Sequence, residues 1–197
     1  MKIIGLTGGI ASGKNFVAEI FAKNGAVVFD ADHEVHKIFI DDKALILKVA
    51  KLFPQSLIHG EIDRKILGKI VFADKEKLHL LEQIIHPVIR KKYEEFLAKS
   101  HKENKKIVVL NIPLLLEKQG YRCDKIISIL VPPSIQKRRF FARKKSEQKK
   151  ELEKKFKEII RLQLTNKQRK EKSDFAINTR FSKALTIAQV KKILQKL

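Results

Sequence analysis

Apolar runs and amphipathic stretches alternate along this chain, and their periods predict its elements. Lys2–Leu6 is a short continuous apolar run, read as a buried strand. From Lys14 the pairs Phe16-Val17 and Ile20-Phe21 recur at helical spacing, and Asn24-Gly25 gives a C-cap signal. Ala26–Phe29 is a second buried strand, so the chain opens with a βαβ unit whose crossover should be right-handed. Residues 43–53 read as helix and Pro54–Gly60 as a loop. Asp63 is a candidate N-cap for a helix through Phe72. A helix over Lys75–Ile85 is expected to stop at His86-Pro87, with another from Pro87 to about Lys99. No strand signal occurs in this block. Ile107–Leu110 and Ile126–Val131 are further strands, and Ser134 is a candidate cap for the helix after Pro132-Pro133. Ser146–Leu164 predicts a long helix carrying Leu152, Phe156, Ile159, Ile160 and Leu164 on one face. A fifth strand over Asp174–Ile177 and a last helix capped by Ser182 complete an open α/β pattern.

The first strand ends in the stretch of most chemical interest. Gly8–Lys14 fits G-x-x-x-x-G-K, between a strand and a helix, as a phosphate-cradling loop requires. Glycines let backbone N–H groups close around an anion, the helix dipole points at the same place, and Lys14 adds a mobile charge. The usual next residue is Ser or Thr, whose hydroxyl binds Mg²⁺; here it is Asn15. Asp30 and Asp32 end the second strand, where ligands of open α/β sheets bind. Each is a candidate helix cap, and Asp32 a candidate to orient an acceptor hydroxyl. His33 and His36 beside Asp32 lack metal-ligand spacing and read as solvated helix residues. His86 and Arg90 lie one helical turn apart. They are either anion contacts at a helix start or a cap and a surface arginine. Gln136, Arg139 and Arg143 share one helix face, suited to neutralising phosphates or simply to solvation. Arg138, Lys144 and Lys145 read as solvated.

Composition narrows the function class. With 197 residues, 44% of them hydrophobic, the chain can bury a core as one domain with insertions. No apolar run approaches the ~20 residues of a membrane span, and the first residues are unlike a signal peptide. A single cysteine, Cys123, excludes an internal disulfide framework or a thiolate metal cluster. These features point to a cytoplasmic protein with no membrane partner. The net charge is +21, and residues 134–172 hold 16 Lys/Arg against 5 Asp/Glu. Aromatics are few beside that basic run, which argues against single-strand nucleic acid. Steering of polyanionic small substrates fits the charge better.

Several blocks together resemble the dephospho-coenzyme A kinase family over almost the full length. They are Ile4–Ile10 with Ser12-Gly-Lys14, Asp30-Ala-Asp32, Asp63-Arg64, Leu67-Gly68, Val71-Phe72 and Leu81-Glu82 with His86-Pro87 and Ile89-Arg90. Pro113-Leu-Leu with Glu117, then Gln136, Arg139 and Arg143, then Gln163, Arg169 and Asp174-x-x-Ile177, complete the set. The H-P-x-I-R and P-L-L-x-E blocks are the specific ones; the loop alone would indicate only an NTPase.

The resemblance implies an adenylate-kinase-like P-loop NTPase fold, with a five-stranded parallel sheet. It implies a core of about residues 1–41, 101–145 and 173–197, a helical acceptor-binding insertion of about 42–100 and a basic lid of about 146–172. It implies ATP-dependent phosphorylation of the ribose 3′-hydroxyl of dephospho-CoA, with ATP and Mg²⁺, by a monomer or weak homo-oligomer. Gly8, Gly9, Ile10, Ala11, Ser12, Gly13, Lys14, Asn15 and Phe16 would bind ATP with Arg139 and Arg143. Lys14, Arg143 and Asp32 would be catalytic. Asp32, His86, Arg90, Leu114 and Glu117 would serve the acceptor, and Asn15 is the candidate Mg²⁺ ligand. Another kinase of the same fold and a basic nucleic-acid-binding P-loop protein are the alternatives. Four positions depart from the family. Ala11 replaces a glycine, which is acceptable at φ < 0. Asn15 replaces the hydroxyl, His36 replaces an arginine, and Asn111 leaves no carboxylate after the third strand.

Overall fold

The apolar runs form one sheet. In the computed structural model, which describes residues 1–117, 120–143 and 148–197, β1 (Lys2–Gly8) is followed by α1 (Lys14–Lys23) and β2 (Val27–Asp30). The elements α2 (Ala31–Asp41), α3 (Lys43–Leu52), β3 (Leu57–Ile58), β4 (Glu61–Ile62), α4 (Arg64–Phe72) and α5 (Lys75–Lys102) come next. Then follow β5 (Ile107–Asn111), β6 (Lys125–Leu130), α6 (Pro133–Ala142), α7 (Lys149–Arg161), α8 (Asn166–Glu171), β7 (Phe175–Asn178) and α9 (Lys183–Leu194). The large sheet has the order β2-β5-β1-β6-β7. β1 is central and pairs parallel with β5 and β6, and β6 pairs parallel with β7. A central parallel strand is buried on both faces, which is why Ile4 and Leu6 are fully inaccessible. They pack with Val17 and Phe21 of α1, Ile127 and Ile129 of β6, and Val190 of α9.

The chain divides into two compact units, Met1–Phe29 with Ser100–Leu197, and Asp30–Lys99. The first holds the sheet core and the C-terminal helices. The second is the helical block, and α2 belongs to it, where the sequence reading begins that block at residue 42.

Four expectations change. Pro87 does not interrupt the helical block, because α5 runs unbroken from Lys75 to Lys102 with Pro87 inside it. An interior proline costs ~3 kcal/mol or more. Leu81 on one side and Ile89 and Tyr93 on the other are all buried, and each buried large side chain gains ~1.5–3 kcal/mol, so packing wins. Asp74, not an internal break, starts this helix, accepting from the backbone N–H groups of Glu76 and Lys77. Residues 57–62 form a two-stranded antiparallel hairpin where the sequence reads loop. Pro132 rather than Ser134 is the N-cap of α6. Finally, the long helix expected over 146–164 stops early: α7 ends at Arg161, and Thr165 with Gln168 forms a capping box that opens α8 beyond it. Ser146, Lys144 and Lys145 lie outside the described residues.

Asp63 caps α4 as the sequence predicts, accepting from the N–H groups of Lys65 and Ile66. The bonds to Ile66 and Lys65 hold its carboxyl below the ordinary value of 3.8. A depressed carboxyl contributes stability above its unfolded pKa and loses it as pH falls through the folded value. Asp63→Ala is therefore expected to lower the unfolding temperature by a few degrees at pH 7. The difference should vanish at pH well below 3.8, as pH-dependent thermal unfolding would check.

Candidate active site

The loop between β1 and α1 leaves the C-terminal end of the central strand, the position where open parallel sheets bind ligands. Gly13 is the N-cap of α1 at φ 95°, in the left-handed region where glycine is favoured, and no side chain caps this helix. By contrast α2, α3, α4, α8 and α9 are each capped by a side-chain oxygen. The first N–H groups of α1 thus keep their capacity for an anion, and the helix dipole adds to it. Lys14 and Asn15 are the first residues of α1, and Phe16 follows, part-buried against the core.

The loop is held from two sides. On one side Ile10 N–H donates to Gln163 Oε1 at 2.9 Å. A Cβ on Gly9 would lie 2.3 Å from Gln136 Nε2 and 3.3 Å from both Arg169 Nη1 and Gln163 Oε1, so side chains from three segments close on this glycine. On the other side Arg139 donates to Ser12 O (3.4 Å), Thr179 Oγ1 (3.2 Å) and Thr179 O (2.6 Å), while Thr179 Oγ1 donates to Ser12 O at 2.6 Å. Burial, with Arg138 and Arg143 alongside, pulls the Arg139 guanidinium below its ordinary value. An arginine nevertheless stays charged at neutral pH. Gly8 is the last residue of β1, and Ser12 N–H closes a turn onto Gly9 O at 3.1 Å. Within that turn Ala11 has φ 54°, so the condition that admitted alanine is not met. The third residue of such a turn needs φ > 0, which costs a non-glycine residue about 1–2 kcal/mol.

Arg143 is exposed and is the C-cap of α6, so Gln136, Arg139 and Arg143 of one face end in three environments: buried on Gly9, bound to Ser12 and Thr179, and open to solvent. Two family departures meet here. Asn15 Oδ1 accepts from Asn111 Nδ2 at 3.2 Å. An amide oxygen has a second lone pair, so Asn15 retains a hard oxygen donor suited to Mg²⁺ at the helix start. Mg²⁺ needs few protein ligands when phosphates and water supply the rest, so this donor set fits the ion.

Glu117 and Leu114 lie in the turn after β5. Leu114 has φ 54°, and its carbonyl accepts from Glu117 N–H. Glu117 Oε1 accepts from Leu164 N–H at 2.9 Å and from Arg169 Nη2 at 3.4 Å. Cys123 packs near Gly5, and burial with Asp124 nearby pushes its thiol up to about 11. That keeps it protonated and unreactive near neutral pH.

In the helical unit, Asp30 is the N-cap of α2, accepting from His33 N–H at 3.0 Å, and Asp32 is exposed in the first turn. His36 Nδ1 lies 3.0 Å from Arg64 Nη1. Among the described residues no three His, Cys, Asp or Glu side chains cluster as a metal site. His86 and Arg90 fall within α5, so the helix start they were expected to flank does not exist. Arg90 Nε instead lies 3.7 Å from Glu94 Oε1, an exposed pair.

Sequence reasoning missed Gln163 and Thr179 as loop partners and Arg169 as the partner of Glu117. The Thr165-x-x-Gln168 capping box was a readable signal for the turn that presents Gln163. No local pattern announces Thr179.

Comparison with known proteins agrees with this architecture. A relative from Bartonella quintana named dephospho-CoA kinase is 41% identical over 198 residues, covering 100% of this chain and 98% of that protein. A solved dephospho-CoA kinase from Campylobacter jejuni is 31% identical, with a TM-score of 0.69, covering 100% of this chain and 97% of that one. A solved Thermus thermophilus protein is 27% identical with a TM-score of 0.83, covering 100% and 97%. The family model described as dephospho-CoA kinase matches residues 2–183, so the chain, with its phosphate loop at the end of the central strand, belongs to the dephospho-CoA kinase family.

Proposed function

We propose that this chain transfers the γ-phosphoryl group of ATP to the ribose 3′-hydroxyl of dephospho-CoA, the last step of coenzyme A synthesis. The observation that carries the reading is the glycine-capped start of α1, whose first N–H groups no side chain caps and whose first residue is Lys14. Phosphoryl transfer asks the protein for positioning and charge more than for covalent chemistry. In this reading the backbone of Gly8–Asn15 holds the β- and γ-phosphates, with Phe16 following. Lys14 neutralises charge as the bond to the leaving oxygen lengthens. Arg143 adds charge from the C-terminus of α6. Arg139 holds the loop through Ser12 and is thereby kept beside the phosphates. Asp32 accepts the proton of the 3′-hydroxyl or orients it. His86, Arg90 and Leu114 are the remaining acceptor-side assignments, taken from the family resemblance.

When bound, Mg²⁺ would offset phosphate charge. Asn15 would hold it, with its amide fixed by Asn111. Within the lid expected over residues 146–172, α7 is the part proposed to move, since Gln163 and Arg169 are tied to the phosphate loop and to Glu117. No helix among the described residues is long and apolar enough to cross a membrane. A cytoplasmic monomer or weak homo-oligomer completes the proposal.

The test is ATP turnover against a panel of acceptors, with the product's phosphate position read by phosphorus NMR. Dephospho-CoA is expected to be phosphorylated at the 3′ position, and free nucleosides and nucleotides at no more than a trace of that rate. Preferential turnover of a nucleotide would overturn the assignment.

A further inference from the structure

We propose that Glu117 is a positioning residue for the phosphate loop, acting through Arg169 and through the turn that carries Gln163, rather than a contact to the acceptor. The inference rests on the reading of Gly8–Asn15 as the ATP-phosphate loop.

Glu117 is directed into its own unit. Its side chain is 13% exposed, and its partner Arg169 is 3% exposed. One oxygen, Oε1, receives both the N–H of Leu164 and Arg169 Nη2. Each bond leads to the loop. The residue before Leu164 is Gln163, whose Oε1 takes the Ile10 N–H. The other terminal nitrogen of Arg169 stands 3.3 Å from where a Cβ of Gly9 would be. The carboxylate thus fixes the backbone of the α7–α8 turn and the guanidinium over Gly9 at once.

The electrostatics run the same way. Burial disfavours the Arg169 charge, and Glu117 offsets part of that through charge and hydrogen bond. Neutralising Glu117 leaves a buried cation without its counter-charge, a situation that is strongly destabilising locally. Arg169 must then shift toward water or another anion, and it moves away from Gly9 as it does so. Loop amides that are not held in place bind phosphate less well, because their ordering cost falls due on binding. The effect therefore belongs to ATP affinity.

The experiment compares Glu117→Gln, Gln163→Leu and the double variant with the wild-type chain. Calorimetry gives the Kd of ATP, steady-state assay gives the KM of dephospho-CoA, and thermal unfolding checks the fold. Loss of the charge on Arg169's partner in Glu117→Gln, and of one hydrogen bond in Gln163→Leu, predicts a rise of about three- to tenfold in ATP Kd for each single variant. The double variant should lose less than the product of the two, since both act on one path. Dephospho-CoA KM should stay within about twofold. The proposal is overturned if Glu117→Gln changes dephospho-CoA KM as much as or more than ATP Kd, or if neither moves. Should Glu117→Gln fail to fold, Gln163→Leu decides alone, and unchanged ATP affinity overturns it. Lys14→Ala is the control for the underlying reading. If Lys14→Ala leaves ATP binding intact, the loop assignment itself fails. If it weakens binding while Gln163→Leu does not, only the positioning proposal fails.

Discussion

Asp32→Asn is expected to lower kcat for dephospho-CoA phosphorylation by about 10²–10⁴, the range for a lost general base. Asp30, not Asp32, performs the capping of α2, through His33 N–H. Asp32 sits in the first turn of the helix, exposed. Asparagine keeps the size and one acceptor oxygen but cannot take a proton. The unfolding temperature should therefore stay close to that of the wild-type chain while turnover falls. A smaller loss in KM than in kcat is expected, because the proton is in flight only in the transition state. Coupled ADP release under saturating ATP would measure it. Retention of more than a tenth of wild-type kcat would remove Asp32 from the role of base.

Lys14→Ala is expected to cut kcat/KM for ATP by about 10²–10³, taking one lost charge-stabilising donor as the measure. Lys14 is the first residue of α1, directly after the glycine cap, so its charge adds to the N–H groups of the same helix end. The ground state and the transition state both carry phosphate charge there, so KM should rise as kcat falls. Lys14→Arg should not restore full activity, since a planar fork does not reproduce a compact, mobile point charge. Pre-steady-state ATP binding and turnover of both variants would separate the two effects. Wild-type kcat/KM in Lys14→Ala would rule out phosphate binding by this loop.

The strands, the cap at Asp63 and the loop–helix junction at Gly13-Lys14 could be read from the chain because each is set by neighbours in sequence. Apolar runs bounded by turn residues make strands, and a carboxylate three residues ahead of a helical N–H makes a cap. Asn15 stood out as the position of metal doubt, but its partner Asn111 did not. Pro87 misled because local preference and long-range packing oppose each other there, and Leu81, Ile89 and Tyr93 outweigh the proline. Ala11 misled for the opposite reason. The turn from Gly9 to Ser12 imposes a positive φ on whatever residue stands there.

The sequence by itself determined that a glycine-rich loop of phosphate-binding spacing joins the first strand to the first helix, and which family the chain resembles. Motif spacing is a local property, and an anion needs only consecutive N–H groups and a nearby cation. Only the tertiary structure decided what holds that loop still. Gln163, Arg139, Thr179 and the Glu117–Arg169 pair reach it from segments more than a hundred residues along the chain. Such contacts depend on the sheet order that brings β1 between β5 and β6, and no short-range pattern encodes them.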